Sequence, residues 1–210
     1  MEIPFATIER ISTYLRCLKR LKEKGIKKVS SRELSGFTKT TPEQIRKDLS
    51  YFGRFGKTGA GYDVSILTRK LERILKHKKI WNVCIIGAGS LGSALAKYNA
   101  FKTEGYDIVA LFDNDPQKIG NNIGGKEIYS IESFPEITEK IGIEIAILTV
   151  PQEAIEEIEP IISKSKIRGI INFVPQLLNI KTRRKITTLD VDLAQKMYIL
   201  SYLIKNKKEE

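Results

Sequence analysis

One histidine, two cysteines, two methionines and one tryptophan in 210 residues exclude several kinds of chemistry at the outset. Structural zinc sites are built from clustered Cys and His. His77, Cys17 and Cys84 are too few and too scattered for that, so no metal is expected. Two cysteines do not make a disulfide scaffold, and both read as buried small hydrophobes. His77, flanked by lysines in "LKHKKI", reads as a solvated linker residue. No apolar run approaches the roughly 18–20 residues of a membrane span. The opening "MEIPFATIERISTYLRC" spaces its apolar residues instead of massing them as a signal peptide does. The expectation is a cytoplasmic chain with no membrane partner.

What is abundant is positive charge, and it is uneven. Residues 1–79 hold 20 Lys/Arg against 8 Asp/Glu, a net of +12, whereas residues 80–210 hold 16 against 17, a net of −1. That asymmetry predicts a basic module that meets a polyanion, joined to a near-neutral module with another task.

In the basic module, "PFATIERISTYLRCLKRLKEKGI" places Ile8, Ile11, Leu15, Leu18 and Leu21 at helical steps, with Pro4 at the start and Gly25 as a stop. Ser30 and Glu33 fit a capping box for a short helix, which "SGFTKT" should break. Thr41 and Gln44, with Pro42 at the first helical position, fit a second. Three short helices so joined form a helix-turn-helix pattern. On the third, Ile45, Leu49 and Phe52 share one side, leaving Arg46, Lys47, Ser50 and Arg54 on or near the other. Cations on that outer face suit guanine edges and phosphates in a major groove. Gln44 and Tyr51 complete the candidate DNA contacts of this element. The glycine-dense "GRFGKTGAGYDV" then reads as a β-hairpin wing, with Lys57, Gly59 and Tyr62 as its candidate contacts. "VSILTRKLERILKHKK" gives a helix with apolar positions 64, 67, 71, 74 and 75, and a basic linker follows near residues 76–80.

The second module opens with "VCIIGAGSLG". An apolar strand runs into Gly87, Gly89 and Gly92, a G-x-G-x-x-G at the start of a helix, with Ala88, Ser90 and Leu91 between the glycines. The first glycine permits the turn, the second lets a pyrophosphate approach the backbone, and the third lets helix and strand pack closely. A second strand, "YDIVALFD", ends on Asp113, the acid placed to accept from a ribose 2′-hydroxyl and to repel the 2′-phosphate of NADP. Asp115 and Lys118 adjoin it, and no arginine stands there to favour NADP. NADH/NAD+ is therefore the expected ligand pair. "GKEIYSI", "EIAILTVP", "IRGIINFVP" and "KITTLDV" continue as strands, with a helix from Gln152 to about Lys164. The alternation predicts an α/β fold with a Rossmann doubly wound parallel sheet. Ligands in such sheets sit at strand C-terminal ends, which nominates Thr149, Val150, Pro151, Asn172 and Phe173 as nicotinamide walls. The last segment, "LAQKMYILSYLIKNKKEE", is apolar nearly all round from Met197 to Ile204. A helix apolar on every side must be covered on every side, so a homodimer is expected, with this helix against or swapped into its partner. The predicted domains are 1–79, 80–191 and a C-terminal helix and tail at 192–210.

A dehydrogenase would need a substrate domain and a proton-transferring group. Tyr98 and Lys102, expected on one helix, are the one acid–base pair on offer, so no enzyme is expected. At this point the run "SSRELSGFTKTTPEQIRKDLSYFGRFGKTGAGYDV", together with "GAGSLG", "FDNDPQKIG" and "INFVP", resembles the Rex family of bacterial redox-sensing transcriptional repressors. The resemblance covers nearly the whole chain. It implies an N-terminal winged helix-turn-helix, a Rossmann domain and a C-terminal domain-swapped helix in a homodimer. It also implies repression from a palindromic operator when NADH is scarce, release by NADH, and NAD+ competing without release. On this resemblance Arg46 and Lys47 match major-groove contacts, Lys57 through Tyr62 the wing, and Gly87 through Gly92 with Asp113 the cofactor site. Tyr98 matches a tyrosine that moves with the bound state. Arg16 matches an arginine paired with an acid of the swapped helix, here Asp192. Leu193 stands where some members place an aromatic over the nicotinamide. Three other readings stay open: a small NAD-dependent oxidoreductase, a nucleotide-binding scaffold whose basic end meets a membrane or an acidic protein, and a winged-helix repressor sensing another nucleotide.

Overall fold

The helical spacing of the first segment becomes α1 (Phe5–Glu23) in the computed structural model, which describes residues 3–53, 55, 61–75 and 79–206. Arg54, Lys57, Gly59 and His77 lie outside the described residues, as do the wing tip at 56–60 and the start of the linker. Pro4 is the residue just before α1, and Gly25 turns the chain away after it at φ +73°. Ile11, Leu15, Leu18 and Leu21 are buried as the spacing requires, together with Thr7 and Tyr14, while Ile8 is half-buried. Cys17 is half-buried, at the edge of the stripe, rather than interior; Cys84 is fully buried.

Strand β1 (Lys28–Val29) leads to α2 (Ser31–Thr38) and α3 (Pro42–Ser50). Ser30 completes its capping box: its Oγ accepts from the Glu33 N–H at 3.1 Å, and Glu33 Oε2 accepts from the Ser30 N–H at 2.7 Å. The expected break at "SGFTKT" does not occur at Gly36. The helix runs on to Thr38 and stops where Lys39 turns left-handed at φ 51°; one helical glycine costs only about 1 kcal/mol. At Thr41 half of the second box forms. Its Oγ1 accepts from the Gln44 N–H at 3.2 Å, but the Gln44 side chain points elsewhere. Helix α3 ends at Ser50, so Phe52 lies in the turn beyond it, yet it packs inward against the same apolar cluster as Ile45 and Leu49. Strand β2 (Tyr62–Asp63) pairs antiparallel with β1, Val29 opposite Tyr62, and α4 (Val64–Leu75) closes the unit. Helices α1 to α4 with this two-stranded ribbon make a winged helix-turn-helix around one apolar cluster.

The chain divides into two units, Met1–Lys78 and Lys79–Glu210. Lys79 falls in the second, where its ammonium pairs with Glu144 and rests 4.2 Å over the Trp81 ring.

The second unit follows in order as β3 (Trp81–Ile86), α5 (Ser90–Ala96), α6 (Ala100–Thr103), β4 (Tyr106–Asp113), β5 (Asn122–Ile123), β6 (Lys126–Ser130), α7 (Phe134–Ile141), β7 (Ile145–Leu148), α8 (Ile155–Lys164), β8 (Gly169–Asn172), β9 (Thr187–Asp190) and α9 (Leu193–Asn206). The sheet order is β5-β6-β4-β3-β7-β8-β9. All pairings are parallel except the edge ribbon β5–β6, so the expected parallel sheet carries one antiparallel edge. Residues alternate between two cores, Cys84 and Ile86 on one face of the sheet, Val83 and Ile85 on the other. That double burial explains why β3 reads as an unbroken apolar run. Helix α7 is an element the sequence reading passed over. Tyr98 and Lys102 do not share a helix: α5 stops at Ala96, Tyr98 stands in the break, and Lys102 in α6 pairs with Asp107 at 3.0 Å. Helix α9 buries none of its described residues; its large apolar side chains from Leu193 to Ile204 are 49–76% exposed.

Candidate nucleotide cavity and nucleic-acid interface

Strand order reverses at β3, whose neighbours are β4 and β7. Such a switch point leaves a crevice at the strand C-terminal ends, and the glycine loop sits there. Gly87 has φ +101°, and a Cβ on it would stand 2.8 Å from the Thr149 carbonyl oxygen. Gly89 faces open space, with nothing within 4 Å of where a Cβ would be. A Cβ on Gly92 would overlap the carbonyl oxygen of Gly87. Gly87 and Gly92 therefore need glycine, the first for backbone conformation and the second for helix-to-strand approach, while Gly89 leaves room above the loop. Ser90 and Leu91 open α5 on the exposed side, and Ala88 is buried. Thr149 braces the loop from β7, its Oγ1 donating toward the carbonyls of Gly87 at 2.9 Å and Ile86 at 3.1 Å.

Asp113, at the end of β4, is 8% exposed. One carboxylate oxygen accepts from the Ala88 N–H at 2.7 Å and the other from the Asp115 N–H at 2.9 Å. Lys118 Nζ lies 3.2 Å from Asp113 and 3.6 Å from Asp115. Burial pulls the Asp113 pKa upward, but the two backbone donors and Lys118 outweigh it and hold it below the ordinary carboxylate range. The acid is thus ionised and fixed to the glycine loop, the state needed to accept a hydrogen bond from a hydroxyl.

A cavity of about 510 Å³ opens between Gly87, Gly89 and Asp113 on one side and Thr149, Val150 and Pro151 on the other. Its floor is apolar, with Ile131, Ile158 and Ile161 contributing, and Glu132 and Glu157 also line it. A flat base fits an apolar slot and a ribose the carboxylate, so the cavity suits the nucleoside half of a dinucleotide. Ile131 and the α8 residues carry no motif. They were missed because they face the strand ends from helical turns. Asn172 and Phe173 do not line this cavity. Asn172 is buried, donating to Gln176 O at 2.9 Å and Asp190 Oδ1 at 2.8 Å while accepting from the Val174 N–H at 3.0 Å, so it holds β8, β9 and their connection together. Phe173 packs on the sheet's second core. Among the described residues no group of three His, Cys, Asp or Glu could hold a metal, and no helix is long and apolar enough to cross a membrane.

In the first unit, the outer face of α3 presents Arg46, Lys47 and Ser50, all exposed. Arg46 donates to Ser31 Oγ at 2.9 Å and Glu43 Oε1 at 2.7 Å. The Glu43 pair is exposed and so holds the guanidinium only weakly. Tyr51 caps the helix end, half-buried, and Tyr62 is half-buried in β2. Gln44, also expected among the DNA contacts, is half-buried, and its Nε2 donates inward to Asp48 Oδ1 at 2.8 Å. That aspartate is the main feature sequence reasoning passed over. It is 0% exposed and also accepts from Arg10 Nε (2.6 Å) and Nη2 (2.7 Å), Tyr14 Oη (2.7 Å) and Thr7 Oγ1 (3.3 Å). Burial favours its neutral form, but Arg10, Tyr14 and Gln44 outweigh that and lower its pKa. The network ties the cation-bearing α3 to α1 and fixes its rotation. The missed signal was Asp48 at an inward position, one residue before Leu49.

Of the residues nominated as a switch, Arg16 and Tyr98 are exposed, each in its own unit. Asp192 Oδ1 accepts from the Gln195 N–H at 2.8 Å and so caps α9, which Leu193 begins.

Residues 2–50 match a family model for a putative DNA-binding protein N-terminus, and residues 78–176 match one for a CoA binding domain. The redox-sensing transcriptional repressor Rex of Desulforamulus reducens is 40% identical over 209 residues, spanning 100% of this chain and 99% of that protein. Its namesake in Thermus thermophilus is 39% identical over 208 residues, 99% and 97% of the two chains. Among solved structures, RSP in complex with beta-NAD+ and operator DNA matches with a TM-score of 0.90 at 33% identity, covering 99% of this chain and 95% of that one. RSP in complex with beta-NADH matches at 0.88 and 32%, covering 99% and 97%. RSP is itself described as a Rex-family repressor. Identity at this level along the full length shows that the chain belongs to the Rex family of redox-sensing transcriptional repressors.

Proposed function

We propose that the chain is a DNA-binding transcriptional repressor that senses the NADH/NAD+ ratio in the cytoplasm, binds a palindromic operator as a homodimer and is released by NADH. One observation carries the reading: RSP, alike over almost the whole chain, has been crystallised with beta-NAD+ and operator DNA together. This chain has the matching parts, a cationic α3 face held by the Asp48 network and a cavity ending on an ionised Asp113. The relatives are named repressors, not enzymes.

The uncovered α9 supplies the dimer contact in this reading. Swapped into a partner, it would bring Asp192 toward Arg16 and Leu193 toward the nicotinamide, near Tyr98. Two winged helices grip a palindrome only at one spacing. Reduced and oxidised nicotinamide differ by one positive charge, so they favour different closures of the dimer, and NADH selects the one with the wrong half-site spacing. Ribose binding at Asp113 would come with displacement or sharing of Lys118. Arg46, Lys47 and Ser50, with the wing residues through Tyr62, read the operator.

The test is a mobility-shift titration on a palindromic operator with each nucleotide in turn. NADH should dissociate the complex, and NAD+ should protect it from NADH without dissociating it. Binding indifferent to both would overturn the reading. The CoA-binding family match favours a second reading, a repressor sensing another adenine nucleotide. CoA shares the adenosine and pyrophosphate, so operator release by CoA and not by NADH would select it.

A further inference from the structure

The second unit is near neutral as a whole, yet Lys181, Arg183, Arg184 and Lys185 stand close together on the connection between β8 and β9, all exposed. Among the described residues no carboxylate pairs with any of them; Arg184 Nη2 reaches only the Ser163 carbonyl, at 3.4 Å. The tip is held in place. Ile180 and Ile186 on either side of it pack into the core, and Thr182 Oγ1 accepts from the Arg184 N–H at 3.3 Å. The register gives its location. Thr187 lies opposite Gly169, Gly169 opposite Ile145, and Ile145 opposite Val83. The loop therefore lies at the N-terminal end of the strands, opposite to the glycine loop and its cavity. Lys79, the first residue of this unit, stands at the same end of the sheet and shares Glu144 with Arg168.

We propose that this loop is a second DNA contact, meeting the phosphate backbone that flanks the half-site read by the winged helix; it rests on the operator-binding function proposed above. Four unpaired long cations on a pinned tip suit a track of phosphates, which gives affinity without sequence preference. An acidic protein is the less favoured partner: Leu177 is exposed on the same connection but stands alone, and from Asn179 to Lys185 no apolar side chain is exposed beside the cations.

The experiment compares the full-length protein with its K181Q/R183Q/R184Q/K185Q variant. Each is titrated on two duplexes carrying the same palindrome, selected by the wild-type protein from a random library, one ending at the palindrome and one extended on both sides. The wild type should bind the extended duplex more tightly, with a log–log salt slope steeper by about 2 for one phosphate neutralised per loop and by up to about 7 for all four cations of both loops, since each neutralised phosphate adds about 0.9 and a dimer brings two loops. The variant should lose that gain while keeping its affinity for the short duplex and its release by NADH. Equal wild-type affinity for both duplexes, or a variant that keeps the gain, overturns the proposal. A wild type that binds neither duplex specifically overturns the functional reading itself, and the loop's role with it.

Discussion

Each unit of the chain contains a buried aspartate held ionised, and the two are used differently. Asp48 is completely enclosed and accepts from four side chains on α1 and α3. Asp113 is bound by backbone on one side and by Lys118 on the other, and it borders a cavity. The first carboxylate is closed on itself and acts by holding α3 to α1 at a fixed rotation. The second is fixed to a loop but still faces space that a ligand can fill. Burial and a depressed pKa alone do not mark a binding site. What distinguishes the two is whether any group outside the fold can reach the carboxylate.

The largest expected effect follows from the closed member of the pair. Asp48→Ala leaves Arg10 without its carboxylate and takes away the acceptor that Tyr14, Thr7 and Gln44 share, and should destabilise the winged-helix unit by about 3 kcal/mol. Urea unfolding followed with probes in each unit would show it, with the midpoint of the second unit unmoved. A wild-type midpoint for the first unit would mean that the network holds nothing. The open member comes next. Asp113→Ala should weaken NADH binding about ten- to hundredfold, the loss of a charge-assisted hydrogen bond, while operator affinity in the absence of nucleotide stays within about twofold. Fluorescence titration and mobility shift check the two halves; loss of both activities would erase the contrast. The smallest effect is in pH. Burial, with the bond to Asp48, pushes the Tyr14 hydroxyl up to about 12. Unfolded chains release that proton near the ordinary value of about 10, so its contribution is complete below pH 10 and is lost as pH rises through 12. Tyr14→Phe should flatten the alkaline fall in the first unit's urea midpoint. Asp48 and Asp113, both depressed, contribute above the ordinary carboxylate value, and that contribution fades as pH falls through their lowered ones.

How far the sequence was legible follows the same division. Features written in local periodicity could be read: the α1 stripe from Ile11 to Leu21, the Ser30–Glu33 box, the double-faced run Val83 to Ile86, and the three glycines with Asp113 a strand away. Features that depend on what lies opposite could not. Nothing near Asp48 in the chain announces Arg10 or Tyr14, which arrive from another helix. Asn172 at a strand end reads as a nicotinamide wall, and nothing beside it in the chain announces its bond to Asp190 on the neighbouring strand. The Tyr98–Lys102 spacing fits one helix. That helix ends at Ala96, where Lys126 Nζ, from the β5–β6 ribbon, donates to the Ala96 carbonyl at 2.8 Å.

The central claim is that the two units report to each other, and linkage makes it measurable. If NADH lowers operator affinity by some factor, operator DNA must lower NADH affinity by the same factor. NADH titration of the full-length protein, alone and saturated with operator, tests this directly. NADH should bind more weakly on DNA by the factor found in the reverse experiment; identical Kd values in the two titrations would contradict the coupling.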